Sequence, residues 1–569
     1  MIKSISGKNY KAFKEFNLEL APLTVLLGAN SCGKSSLIHL LLMLSQTAGS
    51  INKTESILRL NGSKVGMGDA INIIKDKKED GIIEISIELD NSKKSRFTHI
   101  GHYKSIISES FYALSRSIPI TYKNNKDTLN QITKICEEYN NIYMNDNIFD
   151  SKNVKKSAGL IIDMIRYCRA NPPIENENEQ YENRSNGFYN RAYELIMNST
   201  YQKIDDVFLQ VSSLSDDQYN HKKMTYKIGY DTKKSCLILL GLEIINDEGS
   251  TLFKIEEVNK KWKITSSILD NDILKRSSGD IFKRLNLKSF NLSKHIDDDS
   301  YIYGFMTSFI TSRNPLAHII SQMIITSATY LCSEINGNNI NHVSPLRAFP
   351  QRYYLLDKAI NHTALNALDG AELAEILKNN PKIVKNINSL FNEFRIHIDI
   401  KKVNDIIHTI RVNQEAVDLE LTDVGFGISQ VLPILVQAYL SPEETLTIIE
   451  QPEIHLHPKM QAWLTDALIN IALNENKKFL IETHSEALIR RIRLRIVDEN
   501  SKLDKSMVRI YHLERDRLKL NTKIENIEIQ DDGDIKWPSD FMDIEIEDTL
   551  KIQEMKYKKY LANKNKGIH

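Results

Sequence analysis

The sequence predicts an α/β fold in which an N-terminal and a C-terminal segment build one head around a large insertion of mixed helical and β character. Three observations predict it. Near the N-terminus an apolar stretch, LTVLL, runs into a glycine-containing loop and then into the helical pattern IHLLLML. Strands and helices alternate as in layered α/β domains again at 369–515. Between these regions the composition shifts toward Asn, Lys, Asp and Ser, with a patterning of its own.

Size and charge bound the reading. At 569 residues the chain exceeds one ordinary core and should divide into two or three domains. Lysine plus arginine and aspartate plus glutamate each number 74, so no overall field draws the molecule toward nucleic acid, and any such contact has to be a local patch. Cys32, Cys136, Cys168, Cys236 and Cys332 are scattered and never form a C-x-x-C pair, which argues against a disulfide framework and a zinc site. A reducing cytoplasm is the expected compartment. The opening MIKSISGKNYKAFKEF alternates polar and apolar residues, and no run approaches the roughly 20 apolar residues of a membrane span, so neither export nor membrane insertion is expected.

The elements follow in order. Strands are expected at 2–5, 16–20 and 23–27, a helix from near Gly33, and the alternating IIEISIEL at 82–89 closes a first lobe at 1–100. An insertion at 101–340 carries helical stretches at 155–170, 188–213 and 315–335, with strands at 223–230 and 235–246. It lacks consecutive apolar heptads and is not a long coiled coil. A second lobe, opened by SPLRAFPQRYY, occupies 341–515. A small C-terminal region at 516–569 holds one strand-like segment, the turn QDDGDIKWP and the basic tail KYKKYLANKNK.

Chemistry enters at Gly28, where the chain matches G-x-x-x-x-G-K-[ST] between a strand and a helix. The glycines let successive N–H groups face phosphate oxygens, Lys34 meets the β and γ phosphates, and the Ser35 hydroxyl can ligate Mg²⁺. Asn30, Ser31, Cys32, Gly33, Lys34, Ser35 and Ser36 are therefore the candidate ATP contacts. A chance glycine turn competes with this reading, and the strand before and helix after argue against it.

Three further pieces lie in the second lobe. TLTIIEQPEIHLHP places Glu450 at the end of a buried strand, where a carboxylate can hold Mg²⁺; a strand with an acidic turn explains it equally well when taken alone. KKFLIETHSEAL is another apolar strand with polar residues at its end, and it sets His484 where an imidazole can reach a γ-phosphate. LTDVGFGISQVLPILVQ puts Gly425, Gly427 and Ser429 before a helix, which suits an anion site and suits a plain helix cap better when read in isolation.

In this order and spacing the four motifs resemble the ABC-type ATPases of the overcoming-lysogenization-defect, chromosome-maintenance and double-strand-break-repair group, over about 1–100 and 340–500. The resemblance implies that GANSCGKSS is the Walker A loop, VGFGISQ a degenerate signature motif, Glu450 the Walker B acid, Leu456 and His457 the D-loop, and His484 the switch histidine. It also implies that Ser429, with Gly427 beside it, meets the γ-phosphate held by another protomer. Two ATPs sandwiched between two heads follow, and with them a homodimer or higher oligomer. Longer stretches, among them NYKAFKEF, EQPEIHLHP and ETHSEALIRRIRLRI, resemble the PtuA-type ATPases of Septu and retron-linked antiphage systems. That narrower likeness implies an HNH nuclease partner of the PtuB type and, in retron versions, a reverse transcriptase with its RNA-linked DNA.

Departures from the family pattern carry as much information. Gln451 stands where the family usually has a catalytic glutamate, and an amide cannot take a proton from water. Hydrolysis is then expected to be slow, with Glu453 or a residue of the partner head as substitute base, or with ATP kept as a clamp. Gln46 comes too early for a Q-loop. The family's nucleases carry a toprim domain after the switch histidine, whereas residues 485–569 are a short stretch, and no nuclease is assigned. Asp531, Asp532 and Asp534 read as an acidic Asp-Gly turn before a metal site, and His455 and His457 as loop residues. Arg490, Arg491, Arg493 and Arg495 suit a nucleic-acid patch or, more simply, a solvated or partner-facing helix side. The same holds for Lys556, Lys558 and Lys559 with Tyr557 and Tyr560. The expected function is a nucleotide-gated scaffold for a toxic partner; a free-standing ATPase acting directly on DNA is the alternative, and an enzyme with a small substrate ranks last.

Overall fold

A computed structural model describes residues 1–50, 56–90, 126–145, 151–172, 214–294, 314–347, 349–355, 372–415, 417–516, 521–530, 532–535 and 550–559, with single residues at 115, 210, 365, 370 and 537. The helical stretch expected at 188–213 lies almost wholly outside them.

In chain order, strands β1 (Ile2–Tyr10), β2 (Phe13–Glu19) and β3 (Leu23–Gly28) lead into helix α1 (Lys34–Ala48) and strand β4 (Ile83–Leu89). Helices α2 (Lys126–Asn145) and α3 (Ser151–Ala170) precede strands β5 (His221–Asp231), β6 (Cys236–Asn246), β7 (Thr251–Val258) and β8 (Lys261–Thr265). Helices α4 (Asn271–Arg284) and α5 (Pro315–Ile335), strands β9 (Ile340–Val343) and β10 (Tyr354–Leu355), and helices α6 (Leu373–Asn379) and α7 (Pro381–Phe391) come next. The chain continues through β11 (Ile396–Lys402), β12 (Ile407–Gln414), β13 (Val417–Glu420), α8 (Phe426–Leu440), β14 (Leu446–Glu450), α9 (Pro458–Asn474), β15 (Lys478–Glu482), α10 (Glu486–Val497), β16 (Val508–Asp516) and β17 (Asn521–Ile527). These elements fall into two compact units, one of Met1–Lys11 with Leu42–Gly337 and one of Ala12–Leu41 with Asn338–His569.

In the first unit β1, β4, β5, β6, β7 and β8 are successive neighbours in an antiparallel sheet. Its strands alternate as half-buried strands must: Ile83, Ile85, Ile87 and Leu89 of β4 face the core and the residues between them do not. Helices α2 and α3 pack on each other, with Ile132, Tyr139 and Ile142 buried on one and Ile161, Met164 and Ile165 on the other. Helix α5 departs from the expectation that no stretch nears membrane-spanning length, since its apolar window Leu316–Ile335 qualifies by length and composition. That window is 72% buried within the protein and includes the buried Ser321 and Ser327, as a core helix does.

The second unit is layered α/β. Strands β9, β14, β15, β3 and β16 run parallel in that order, and β17 closes the edge antiparallel to β16. Every residue of β3, β14 and β15 is buried, as expected of parallel strands covered on both faces. The core joins Val25, Leu27, Ile449 and Ile481 of the sheet to Val431, Leu435, Leu464 and Leu468 of α8 and α9. Buried Lys477 donates to the carbonyls of Ala438 (2.9 Å) and Tyr439 (3.0 Å), so a cation caps the carbonyl end of α8 just before β15 begins. A smaller antiparallel sheet, β10-β12-β11 with β13 on β12, completes this unit.

Candidate functional site

Because β3, β14 and β15 are parallel neighbours, their carboxyl ends open on one edge of the sheet. Register sets Glu450 opposite Glu482, and Glu482 opposite Leu26. The loop after β3 can take its path only with glycine at two positions. Gly28 has φ +139°, and a Cβ there would stand 2.3 Å from the Leu513 carbonyl oxygen; Gly33 has φ +110°, with a Cβ 3.0 Å from Phe13 Cζ. Ser31 is left-handed as well, at φ 64°. Thr522 Oγ1 donates to the Cys32 carbonyl at 2.8 Å and pins the loop from behind. Burial pushes the Cys32 thiol up and Lys34 opposes the shift, so this cysteine stays protonated and packs.

Lys34 opens α1 with only 3% exposure, and its Nζ donates to the carbonyls of Gly28 (2.9 Å) and Ala29 (3.0 Å). Asn30, Ser31 and Ser35 are exposed, whereas Gly33 and Ser36 are half-buried. A loop shaped by two left-handed glycines at the head of a 15-residue helix, with a buried lysine at its base, is chemically suited to a polyphosphate.

Two carboxylates face this loop's edge of the sheet. Glu450 is 8% exposed, and its Oε1 lies 2.7 Å from His342 Nε2 on β9. Arg347 Nη2 donates to the carbonyls of Glu450 (3.0 Å) and Gln451 (3.1 Å) and so fixes the backbone where β14 ends. Glu482 is 5% exposed, and its Oε1 lies 3.7 Å from Lys34 Nζ. Burial raises its pKa to about 7; Lys34 pulls it down and Glu450 pushes it further up. Oε2 of Glu482 is buried without a hydrogen-bond partner among the described residues. A buried acceptor left open beside a lysine and a second carboxylate suits a metal-bound polyphosphate. Sequence reasoning missed Glu482, His342 and Arg347. For Glu482 a signal existed, since β15 ends its apolar run in Glu just as β14 does; the other two have no local pattern.

The residues after the two strand ends interlock. Gln451, at φ 44°, donates its N–H to the Glu482 carbonyl at 2.7 Å. Glu453 accepts from Thr483 Oγ1 (2.8 Å) with one oxygen and from the His484 N–H (2.7 Å) with the other. Both its oxygens therefore hold the loop after β15. His484 itself is exposed; partial burial, then Lys34, lower its pKa while Glu453 opposes them, which favours a neutral imidazole.

At α8 the cap residue Gly425 is exposed, Gly427 is half-buried where a Cβ would stand 3.6 Å from Leu456 Cδ2, and Ser429 is 3% exposed. The accessible part of this turn is thus the Gly425 end of the helix. His457 caps α9, its Nδ1 accepting the Lys459 N–H at 3.3 Å, and His455 sits in a left-handed turn at φ 64°.

The remaining candidates are engaged elsewhere. Asp531 lies outside the described residues; Asp532 accepts from the Asp534 N–H (2.9 Å) around Gly533 at φ +78°, and Arg493 Nη2 reaches Asp534 at 3.1 Å. Arg490 pairs with Glu486, Arg491 and Arg495 with Asp466, and Arg495 also with Asp498 at 2.8 Å. All four arginines of α10 thus have acidic partners. Lys556, Lys558 and Lys559 are exposed beside Tyr557, while Tyr560 lies outside the described residues. Gln46 Nε2 donates to the carbonyls of Arg59 (2.7 Å) and Val65 (3.1 Å), tying down a loop of the first unit.

The family described as AAA ATPase domain matches residues 1–489. No curated protein matches the chain. Solved structures similar to it include the SMC head domain from Thermotoga maritima, at 6% identity over 93% of this chain and 99% of that one with a TM-score of 0.30. Another is the Smc head domain of Pyrococcus furiosus with an extended coiled coil, bound to the C-terminal domain of ScpA, at 9% identity, 97% and 98% coverage and a TM-score of 0.31. A third is an Smc head bound to the C-winged helix domain of ScpA, at 9% identity, 93% and 98% coverage and a TM-score of 0.34.

Proposed function

The chain belongs to the AAA ATPase domain family, and we propose that it is a slowly hydrolysing, ATP-gated head that scaffolds a partner nuclease. One observation carries the reading: Lys34, Glu450 and Glu482 converge, buried, at the carboxyl edge of one parallel sheet. Lys34 and the N–H groups of the Gly28 loop would bind the phosphates, and Ser35 with Glu450 would hold Mg²⁺. Held there, Mg²⁺ would supply neutralisation of phosphate charge. His484, neutral and exposed, is available to hydrogen-bond a γ-phosphate.

Slow turnover follows from the residues beside Glu450. Gln451 supplies an amide where a base is needed, and Glu453 is occupied by Thr483 and His484. ATP then serves chiefly to hold two heads together, with the Gly425 end of α8 turned to the partner's phosphate, in a homodimer or higher oligomer. The likeness of the motifs to PtuA-type ATPases supports an HNH nuclease of the PtuB type as the cargo, in retron settings with a reverse transcriptase and its RNA-linked DNA, and a role in antiphage defence. The ion-paired arginines of α10 favour this scaffold over a head that grips DNA directly.

Copurification with the products of neighbouring genes, with mass and retained ATP recorded, tests the proposal. Wild type should hold ATP in an assembly with a nuclease, Lys34→Ala should lose at least about a hundredfold in ATP affinity, and Gln451→Glu should hydrolyse faster. A monomer that turns ATP over rapidly without a partner would sink it.

A further inference from the structure

We infer that the cleft behind Glu450 is a docking site for a partner protein segment presenting an acidic side chain between apolar ones, and that Arg347 passes its occupancy to the nucleotide site. The cleft is lined by His342, Arg347, Phe349, Tyr354, Leu365 and Ser429, among others, and is shallow, with a cavity of ≈ 20 Å³ behind a mouth open to solvent. All of these residues belong to the second unit.

Charge complementarity selects the occupant. Arg347 is 7% exposed, so its guanidinium has lost most of its water, yet Nε and Nη1 have no hydrogen-bond partner among the described residues. It forms no ion pair with a described residue, and the acid whose charge it feels, Glu453, is already engaged by Thr483 and His484. A buried cation with open donors calls for an anionic acceptor. The walls decide what carries that acceptor. Phe349, Pro350, Tyr354 and Leu365 are apolar, Phe349 is 74% exposed, and in the same stretch of chain Leu346 is 85% and Tyr353 53% exposed. Exposed apolar side chains gathered around a polar anchor are the anatomy of a protein interface. A carboxylate alone would leave that rim in water.

The link to ATP is direct. The guanidinium with the open donors is the one that holds the Glu450 and Gln451 carbonyls, and His342, in the cleft wall, contacts the Glu450 carboxylate. An acid drawn onto Nε or Nη1 therefore acts on the backbone that positions both residues. This consequence rests on the ATP reading above; the docking itself does not.

Selection of displayed random peptides on the full-length protein, with ATP retention measured in parallel, tests the inference. Enriched peptides should share an Asp or Glu flanked by apolar residues, and replacing that acid by its amide should weaken binding at least tenfold. Arg347→Met, which keeps the bulk of the side chain, should do the same. Phe349→Ala, at an exposed position that leaves folding intact, should weaken it several-fold even if Arg347→Met fails to fold. Saturating peptide should change the rate of ATP release from wild type. Peptides without an acid, or bound equally by both variants, would overturn the docking site, as would a wild-type dimer that Phe349→Ala turns into monomer without peptide, which would make the patch a contact between copies. Arg347-dependent peptide binding by a protein that retains no ATP would leave the docking site standing and remove the ATP reading alone.

Discussion

The two large sheets of this protein treat charge in opposite ways. On the antiparallel sheet of the first unit, charged side chains stand at the surface and pair across strands: Lys3 with Glu88 at 2.9 Å, Lys227 with Glu256 at 3.0 Å, and Lys8 with Glu84 at 3.6 Å. On the parallel sheet of the second, Lys34, Glu450 and Glu482 sit at 3%, 8% and 5% exposure, and Oε2 of Glu482 has no hydrogen-bond partner among the described residues. The first arrangement neutralises itself in water at almost no cost. The second keeps charge out of water with incomplete pairing, which a fold retains where a charged ligand completes it. Paired surface charge therefore reports on the sheet, and buried unmatched charge reports on what the sheet binds.

Backbone strain sharpens the contrast most. Gly28→Ala places a Cβ 2.3 Å from the Leu513 carbonyl, a backbone atom of β16 that cannot swing away, on a residue held at φ +139°. The cost should be about 3 kcal/mol or more in denaturant unfolding. Gly249, in the β6–β7 turn of the first unit, also has positive φ, at +84°, but a Cβ there meets nothing within 4 Å. Gly249→Ala should cost only about 1 kcal/mol. Equal costs at the two sites would mean that the loop after β3 is not held as tightly as its neighbours imply.

Next in size is the effect of pH on Glu482. Its folded pKa of about 7 stands above its ordinary 4.5, chiefly through burial. Between those values the folded protein binds more protons at this site than the unfolded chain, so the site makes stability fall as pH rises through the window, and the penalty is complete above it. Glu482→Gln removes the penalty. In urea titrations from pH 4.5 to 8 without nucleotide, the variant should gain on wild type up to about pH 7 and then hold a constant lead. Parallel curves for the two proteins would show that Glu482 meets water freely.

How far the sequence discloses these features depends on whether their partners are near in the chain. The loop at Gly28 is legible because strand, glycines, lysine and helix are consecutive, and Glu450 and His484 because each follows an apolar run. Glu482 ends an apolar run as Glu450 does, but only strand register shows that it faces Glu450. Arg347 and His342 find their partners 103 and 108 residues away, beyond any motif. The same limit hides helix α2. Its buried residues Ile132, Tyr139 and Ile142 are thinly spread among Asn, Lys and Glu, and their apolar face exists only against α3. For Ser429 the pattern offers a ligand contact, and the fold shows only that the residue is 3% exposed in the first turns of α8.

The smallest expected effect tests the other half of the contrast. Lys227 pairs with Glu256, both side chains being 33% exposed, and its hydrogen bond to Glu256 raises its pKa against the cost of partial burial. Burial pushes the Glu256 carboxyl up, but Lys227 and Lys254 together hold it below its ordinary value. A carboxylate with a depressed folded pKa contributes stability that is present above its unfolded pKa and lost as pH falls through the folded one. Because water and salt screen a pair this open, Lys227→Ala should cost no more than about 1 kcal/mol at pH 7, and less in 1 M salt, in the same unfolding assay. As pH falls below the ordinary carboxylate range the difference from wild type should shrink further as Glu256 protonates. A cost as large as that of Gly28→Ala would mean that surface pairs hold the antiparallel sheet together, and the division of labour between the two sheets would fail.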